Sequence, residues 1–107
     1  MPNGQVRNHS SRALWVVSSD RGRPVARRLE PGFESPSTVD ADGFKAVDGT
    51  PVDGHRSWVK IVDLSTADVK DDGDELTRGC FLCRSVGERE FGRPRFVDES
   101  GWGVRMR

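Results

Sequence analysis

The chain has 107 residues, an apolar fraction of 34% and no net formal charge, because 17 basic side chains balance 17 acidic ones. This length favours a single domain over 1–107 with one modest core, and the three Trp and five Phe argue against wholesale disorder. A net charge of zero provides no global field that would attract nucleic acid or a membrane surface, so we expect neither as a partner.

The sequence lacks the patterns of export and membrane insertion. Residues 1–5 have no apolar stretch of the kind found in a secretory signal. No segment reaches the roughly 18 apolar residues that a membrane-spanning helix needs. We therefore expect a cytoplasmic location, with export that requires no cleaved signal as the alternative.

The sequence pattern of the N-terminal third predicts β-strands. Residues 5–8 favour a short strand, and the β-prone segments 14–19 and 23–29 flank the turn Asp20-Arg21-Gly22 as in a β-hairpin. Gly22 can supply the positive φ that a three-residue hairpin loop needs at its closing position. Pro24 cannot donate to a ladder, so it predicts a strand start or a sheet edge.

Arginines crowd this hairpin, at Arg21, Arg23, Arg27 and Arg28. They are explained either by a solvated edge strand, whose charges prevent sheet-to-sheet aggregation, or by contact with a partner.

The region at about 31–56 reads as a long acidic loop rich in Gly and Asp. Three Asp-Gly pairs punctuate it, and residues 31–75 carry eleven acids against four bases, a balance of −7, whereas 1–30 carry +4 and 76–107 carry +3. Loops of this length often hold functional residues, although a Gly-rich cover over one sheet face is the alternative. The candidate contacts in this region are Asp40, Asp42, Phe44, Asp48, Asp53 and His55.

The second half of the chain continues in short segments. Residues 57–63 are apolar on both faces and predict a central strand, whereas 65–70 predict a helical turn with Ser65 as its cap. Three more strands are expected, at 76–86, 94–98 and 102–106. The fold class is therefore mostly β: a small antiparallel β-sandwich or partly open barrel of about six to eight short strands, with at most one or two short helical turns.

Cys80 and Cys83 are the only cysteines, at a spacing that can supply half of a zinc site. They are weak metal candidates, because the spacing of His9 and His55 to them fits no standard zinc pattern. Residues three apart on a strand face opposite sides, so we expect two structural thiols, no disulfide between them and no cofactor.

Metal and catalytic motifs are incomplete. Asp40-Ala41-Asp42-Gly43 resembles part of a calcium loop, but Thr38 and Gly49 would then occupy the first and last ligand positions. His9 and His55 could serve as the acid and base of a small nuclease, although no motif places them together. We therefore expect no catalytic residues, and the sequence favours a protein that is not an enzyme.

The leading functional hypothesis is a non-enzymatic binding module that contacts another protein, of the inhibitor, immunity, adaptor or assembly-accessory type; a homo-oligomer is also compatible with the sequence. Trp15 is a candidate contact because it has apolar neighbours on both sides, whereas Trp58 and Trp102 are expected in the core. The predicted binding residues are Trp15, Arg21, Arg23, Arg27, Asp40, Asp42, Phe44, Asp48, Asp53 and His55. The alternatives are a carbohydrate- or calcium-assisted lectin-like module, and a small nuclease or toxin that uses His9 and His55.

Overall fold

Two β-sheets pack against one another in the structure, a computed structural model that describes residues 3–107. Within that range the chain forms eleven strands and no helix, and hence no helical membrane span. The strands are β1 (Gln5–Asn8), β2 (Leu14–Asp20), β3 (Arg23–Leu29), β4 (Phe33–Glu34), β5 (Gly43–Ala46), β6 (Val59–Ile61), β7 (Thr66–Asp72), β8 (Glu75–Thr77), β9 (Cys83–Ser85), β10 (Arg95–Val97) and β11 (Val104–Arg105).

The strand order confirms a small, mostly β, sandwich-like fold without a closed barrel. The five-stranded sheet has the order β11-β4-β1-β7-β8, and the six-stranded sheet has the order β10-β3-β2-β5-β6-β9. There are more strands than the six to eight expected, because strands of two or three residues are too short to show a period in the sequence. Both sheets are mixed and not purely antiparallel, since β1 pairs with β7 and β10 with β3 in parallel.

The predicted hairpin is present as β2 and β3, which form seven residue pairs from Leu14–Leu29 to Asp20–Arg23. Its loop is shorter than expected: Arg21 and Gly22 alone make the turn, both with positive φ, as a type I′ turn requires. The β3 strand is not an edge, because β10 covers its other side. That pairing begins at Val25, one residue after Pro24, so the missing N–H of Pro24 disrupts no ladder there.

The core between the sheets contains side chains from both of them. Residues of β1 and β7 (Val6, Ala67, Val69) meet residues of β2 (Leu14, Val16) in one buried cluster. This alternation of Ala67 and Val69 toward the core explains why 65–70 is not the helical turn expected with Ser65 as its cap: residues 66–69 form a strand paired with β1.

A second buried cluster covers the outer face of the six-stranded sheet. It contains Val17, Ala26 and Trp58, with Trp15 and Phe91 packed against it. Val17 belongs to it because successive residues of a strand face opposite sides, so that Val16 points to the main core. Trp58 is only 1% exposed, which confirms its predicted burial.

Residues 31–56 are not one continuous loop. They contribute β4, β5 and an isolated bridge between Val52 and His55. Phe44 is fully buried in the main core, so its side chain is not accessible to a partner, contrary to its selection as a binding residue. The Asp-Gly turns are thus separated by segments that build the sandwich.

Cys80 and Cys83 form a disulfide, which corrects the expectation of two separate thiols. The two residues do not lie on one strand: Cys80 bridges to Ala67 of β7, whereas Cys83 begins β9 in the other sheet. The chain bends at Phe81 and Leu82, which brings the Cα atoms to 5.7 Å. The disulfide therefore closes the short segment by which the chain passes from one sheet to the other.

Candidate functional site

A polar cleft of about 500 Å³ lies beside the β2–β3 hairpin. Its lining combines three carboxylates, a guanidinium, an indole and several hydroxyl groups. Among the lining residues are Ser18, Asp20, Arg27, Asp40, Asp42 and Trp102. The fold thus brings together Arg27, Asp40 and Asp42 from the set of binding residues predicted from the sequence. We treat this acidic cleft as the candidate site.

Arg27 enters the cleft from β3. It lies opposite Val16 in the hairpin, whose side chain points to the main core, so Arg27 points to the same side of the sheet. Its Nη1 donates to Ser18 Oγ at 3.4 Å, and its guanidinium carbon is 5.9 Å from the ring centroid of Trp102. A hydroxyl group and an aromatic ring therefore hold this cation in place.

Trp102 reaches the cleft because the next residue is a glycine. Gly103 has a φ of +99°, and a Cβ at this position would lie 2.7 Å from the carbonyl oxygen of Glu34. Only glycine allows this approach, by which β11 joins β4 and sets the indole against Arg27. Sequence reasoning placed Trp102 in the core, and the ring is in fact only partly buried against it.

The two carboxylates are carried by a firmly held piece of backbone. Asp40 Oδ1 accepts a hydrogen bond of 2.7 Å from the N–H of Gly4. The Asp42 N–H donates to Val17 O at 2.8 Å, and Asp42 O accepts from Ile61 N at 2.9 Å. Bonds to three different segments therefore hold the Asp40 carboxylate and the backbone of Asp42 in place.

Asp42 is the electrostatically unusual group of the cleft. Burial raises the pKa of its carboxyl above the ordinary value, the negative charge of Asp40 raises it further, and the ammonium group of Lys60 offsets part of the rise. In the part of the chain that the structure describes, no hydrogen bond or ion pair reaches this carboxylate. The cleft therefore favours a proton or a cation beside Asp42.

We expect Asp42→Asn to stabilise the protein at neutral pH. A carboxyl whose pKa is raised by folding opposes folding once it ionises, so the stability of the wild type falls as pH rises from the unfolded pKa through the folded one. The gain for the variant should be below about 1 kcal/mol, because the group is only half-buried and solvent screens it. It should vanish below the ordinary carboxyl pKa.

Urea unfolding at pH 3.5 and pH 7 measures this effect, with Asp74→Asn as the control. Asp74 lies in the exposed turn between β7 and β8. A variant Asp42→Asn that is less stable than the wild type at pH 7 would show that the carboxylate has a stabilising partner.

Three further predicted binding residues are engaged in local structure. Asp48 accepts from both the N–H and the hydroxyl of Thr50, which, together with Arg12, lowers the pKa of its carboxyl. Asp53 has a φ of +49° and accepts from the Arg78 N–H. His55 Nε2 is 2.8 Å from the carbonyl oxygen of Val86. These side chains organise the loops and do not line the cleft.

The remaining predicted binding residues lie elsewhere. Trp15 packs edge-on against Phe96 on the outer face of the six-stranded sheet, with ring centroids 5.0 Å apart. Arg21 and Arg23 are exposed at the tip of the hairpin. Neither group is part of the acidic cleft.

The nuclease hypothesis receives no geometric support in the described residues. His9 Nε2 contacts Asp68 Oδ1 at 3.1 Å, whereas His55 contacts Val86, and no contact joins the two histidines. Over residues 3–107, no group of three or more His, Cys, Asp or Glu side chains is placed to hold a metal ion. Cys80 and Cys83 are bonded to each other and offer no thiolate in this state.

Comparison of the chain with protein-family models, with curated proteins and with solved structures finds no match. The acidic cleft is therefore the observation from which function has to be inferred. Its Ser18 and Trp102 were missed in the sequence because no local pattern relates them to Arg27.

Proposed function

We propose that the protein is a non-enzymatic binding module that recognises another protein by accepting a basic side chain of that partner in the acidic cleft. The observation that carries the proposal is the Asp42 carboxylate, half-buried beside Asp40 and unpaired in the described part of the chain. An inserted Lys or Arg would supply the missing positive charge. Inhibitor, immunity, adaptor and assembly-accessory proteins are the types of module that this mode of recognition suits.

The charges of the cleft favour a cationic side chain. Asp20, Asp40 and Asp42 face the single positive charge of Arg27, so the lining is acidic overall. A cation between Asp40 and Asp42 would relieve the repulsion that raises the pKa of Asp42.

Trp102 and Arg27, which also line the cleft, suit the methylene groups and the backbone of a segment that carries such a basic side chain. The methylene groups of a long basic side chain pack well against an indole, which Trp102 provides. Arg27 is placed to donate to a carbonyl oxygen of the same segment.

Affinity capture from the native host tests the proposal. The baits are the wild type, Asp42→Asn and the control Asp74→Asn, and mass spectrometry identifies the retained proteins. We expect partners that the wild type and Asp74→Asn retain and Asp42→Asn loses. Equal retention by all three baits would exclude the cleft as the interface, and the absence of any retained protein would contradict a protein-binding role.

A small probe tests the cleft directly. Titration with N-acetyl-lysine methylamide should shift the indole N–H resonance of Trp102, and Asp42→Asn should weaken binding about tenfold, since hydrogen bonds to charged groups contribute about 1.5–3 kcal/mol. An unchanged affinity in Asp42→Asn would contradict the assignment of that carboxylate.

A carbohydrate ligand is the second candidate, favoured by the partly exposed ring of Trp102 beside carboxylates and hydroxyl groups. A panel of neutral oligosaccharides in the same titration discriminates the two: saturable shifts of Trp102 that persist in Asp42→Asn would support a lectin-like function. Stabilisation of the fold by millimolar calcium would support its calcium-assisted form.

The cytoplasmic location expected from the sequence stays a prediction. The Cys80–Cys83 disulfide weighs against it, because disulfides persist mainly in oxidising compartments.

A further inference from the structure

A second cleft, of about 570 Å³, lies at the beginning of β3 in the same hairpin and carries the opposite charge. Its accessible apolar surface comes from Pro24 and Phe91, with the buried Val25 beside them, and three arginines surround it: Arg23, Arg93 and Arg95. Phe91 is held in place by Trp58, whose ring is 5.6 Å away in an edge-on arrangement. We call this site the arginine cleft.

The pairing of two distant strands creates the arginine cleft. The tripeptide Gly-Arg-Pro occurs at 22–24 and again at 92–94. The β10 strand pairs with β3 in parallel, with Arg95 opposite Val25. The residues just before β10 therefore lie close to the beginning of β3, and Arg23, Pro24, Gly92 and Arg93 line one cleft. Residues of the two identical tripeptides thus concentrate positive charge at one place.

None of these three arginines has a counter-ion among the residues that the structure describes. Arg7, Arg12, Arg28 and Arg78 each form an ion pair with a carboxylate. By contrast, within residues 3–107 no carboxylate lies within ion-pair distance of Arg23, Arg93 or Arg95. Asp20 is opposite Arg23 in the hairpin ladder but makes no ion pair with it. Three exposed guanidinium groups around apolar walls therefore produce a local positive potential that the net charge of zero conceals.

We infer that the arginine cleft is a second binding site, which takes an acidic segment of a partner protein with a carboxylate side chain next to an apolar one. The apolar side chain would lie against Pro24 and Phe91. The carboxylates would accept hydrogen bonds from Arg23 and Arg93, since guanidinium groups match carboxylate geometry.

A peptide fits this site better than a nucleic acid does. The cleft offers apolar walls for a single side chain, and its aromatic ring is already packed edge-on against Trp58. A single-stranded nucleic acid is usually bound by several exposed rings along a basic groove. The inference goes beyond the proposed function, because neither the ligand nor the residues of the acidic cleft enter it.

Titration of the full chain with acetyl-Asp-Leu-Asp-amide, followed in proton–nitrogen NMR spectra, tests the inference. We expect shifts at the amides of Phe91 and Gly92, and affinity at least tenfold higher than for acetyl-Asn-Leu-Asn-amide. Arg23→Ala and Arg93→Ala should each weaken binding about tenfold, and the control Arg107→Ala should change it less than twofold. All three arginines are exposed, and unchanged spectra away from the cleft would verify that each variant folds.

Three results would overturn the inference. The first is no binding of the Asp peptide at millimolar concentration. The second is an equal loss of affinity in Arg107→Ala, which would indicate attraction by overall charge. The third is binding of a thymidine dodecamer or of inorganic phosphate as tightly as the peptide, which would assign the cleft to nucleic acid or to a simple anion.

Discussion

Trp58→Ala is expected to lower the free energy of unfolding by about 3–5 kcal/mol. The side chain is 1% exposed and lies among Val17, Ala26 and Phe91 on the outer face of the six-stranded sheet. Its ring stacks on Phe96 at 6.4 Å, and Lys45 Nζ lies 4.6 Å from the ring centroid. Removing the indole leaves a cavity that the sheet beneath cannot fill.

The neighbours of Trp58 have little freedom to close that cavity. Phe91 lies directly over Gly43, where a Cβ would come within 2.6 Å of the Phe91 ring. The ring is therefore already in close contact with the backbone of β5. Since small domains are stable by only about 5–15 kcal/mol, the variant should lose a large part of its stability.

Urea unfolding followed by circular dichroism measures the loss, with Phe81→Ala as the control. Phe81 is 92% exposed, so its truncation should change stability by no more than about 0.5 kcal/mol. Similar unfolding midpoints for the two variants would contradict the prediction. They would show that the buried cluster around Trp58 contributes little to the stability of the fold.

Asn8→Leu is expected to cost about 3 kcal/mol or more, although Leu is apolar and similar in size. Asn8 is fully buried, and its Nδ2 donates to the carbonyl oxygens of Arg12 and Leu29 at 2.8 and 3.1 Å. Its Oδ1 accepts from the N–H and the hydroxyl of Ser10. The variant would leave these buried polar groups without their partner, and the connection from β1 to the end of β3 would be lost.

The matched control is Asn3→Leu, because the Asn3 side chain makes a single exposed hydrogen bond, to the carbonyl oxygen of Ser37. Urea unfolding should separate the two variants by more than about 2 kcal/mol. Amide exchange at Ser10 provides a local readout and should accelerate in Asn8→Leu. A variant Asn8→Leu as stable as the wild type would mean that water or rearranged backbone satisfies the buried groups.

The β2–β3 hairpin has a place in both proposed sites. Ser18 and Arg27 line the acidic cleft, whereas Arg23 and Val25 line the arginine cleft. A partner that presented a basic and an acidic segment could contact both clefts across this one element. The variants at Asp42 and at Arg93 separate the contributions of the two clefts to binding. Each variant is tested with a probe of one charge: the lysine derivative for the acidic cleft and the Asp peptide for the arginine cleft.

Local patterns in the sequence were sufficient for the fold class and for part of the site. The hairpin follows from two β-prone segments around Arg21-Gly22, and the burial of Trp58 follows from its apolar neighbours. Asp40 and Asp42 could be selected as candidates because they stand in an acidic, Gly-rich segment, where functional residues are often found. Each of these inferences depends on residues close in sequence, where turn chemistry and side-chain alternation act directly.

The tertiary structure decided the features that depend on contacts between residues distant in the chain. The segment 66–72 is a strand because β1 and β8 pair with it, and Cys80 meets Cys83 because the chain bends where it passes from one sheet to the other. Likewise, Trp102 reaches Arg27, and residues of the two Gly-Arg-Pro tripeptides line one cleft, through strand pairings that no local sequence pattern predicts. The sequence alone thus determined a β domain with its turns and its main hairpin. The packing of the two sheets determined which charges meet, because that depends on global register and burial.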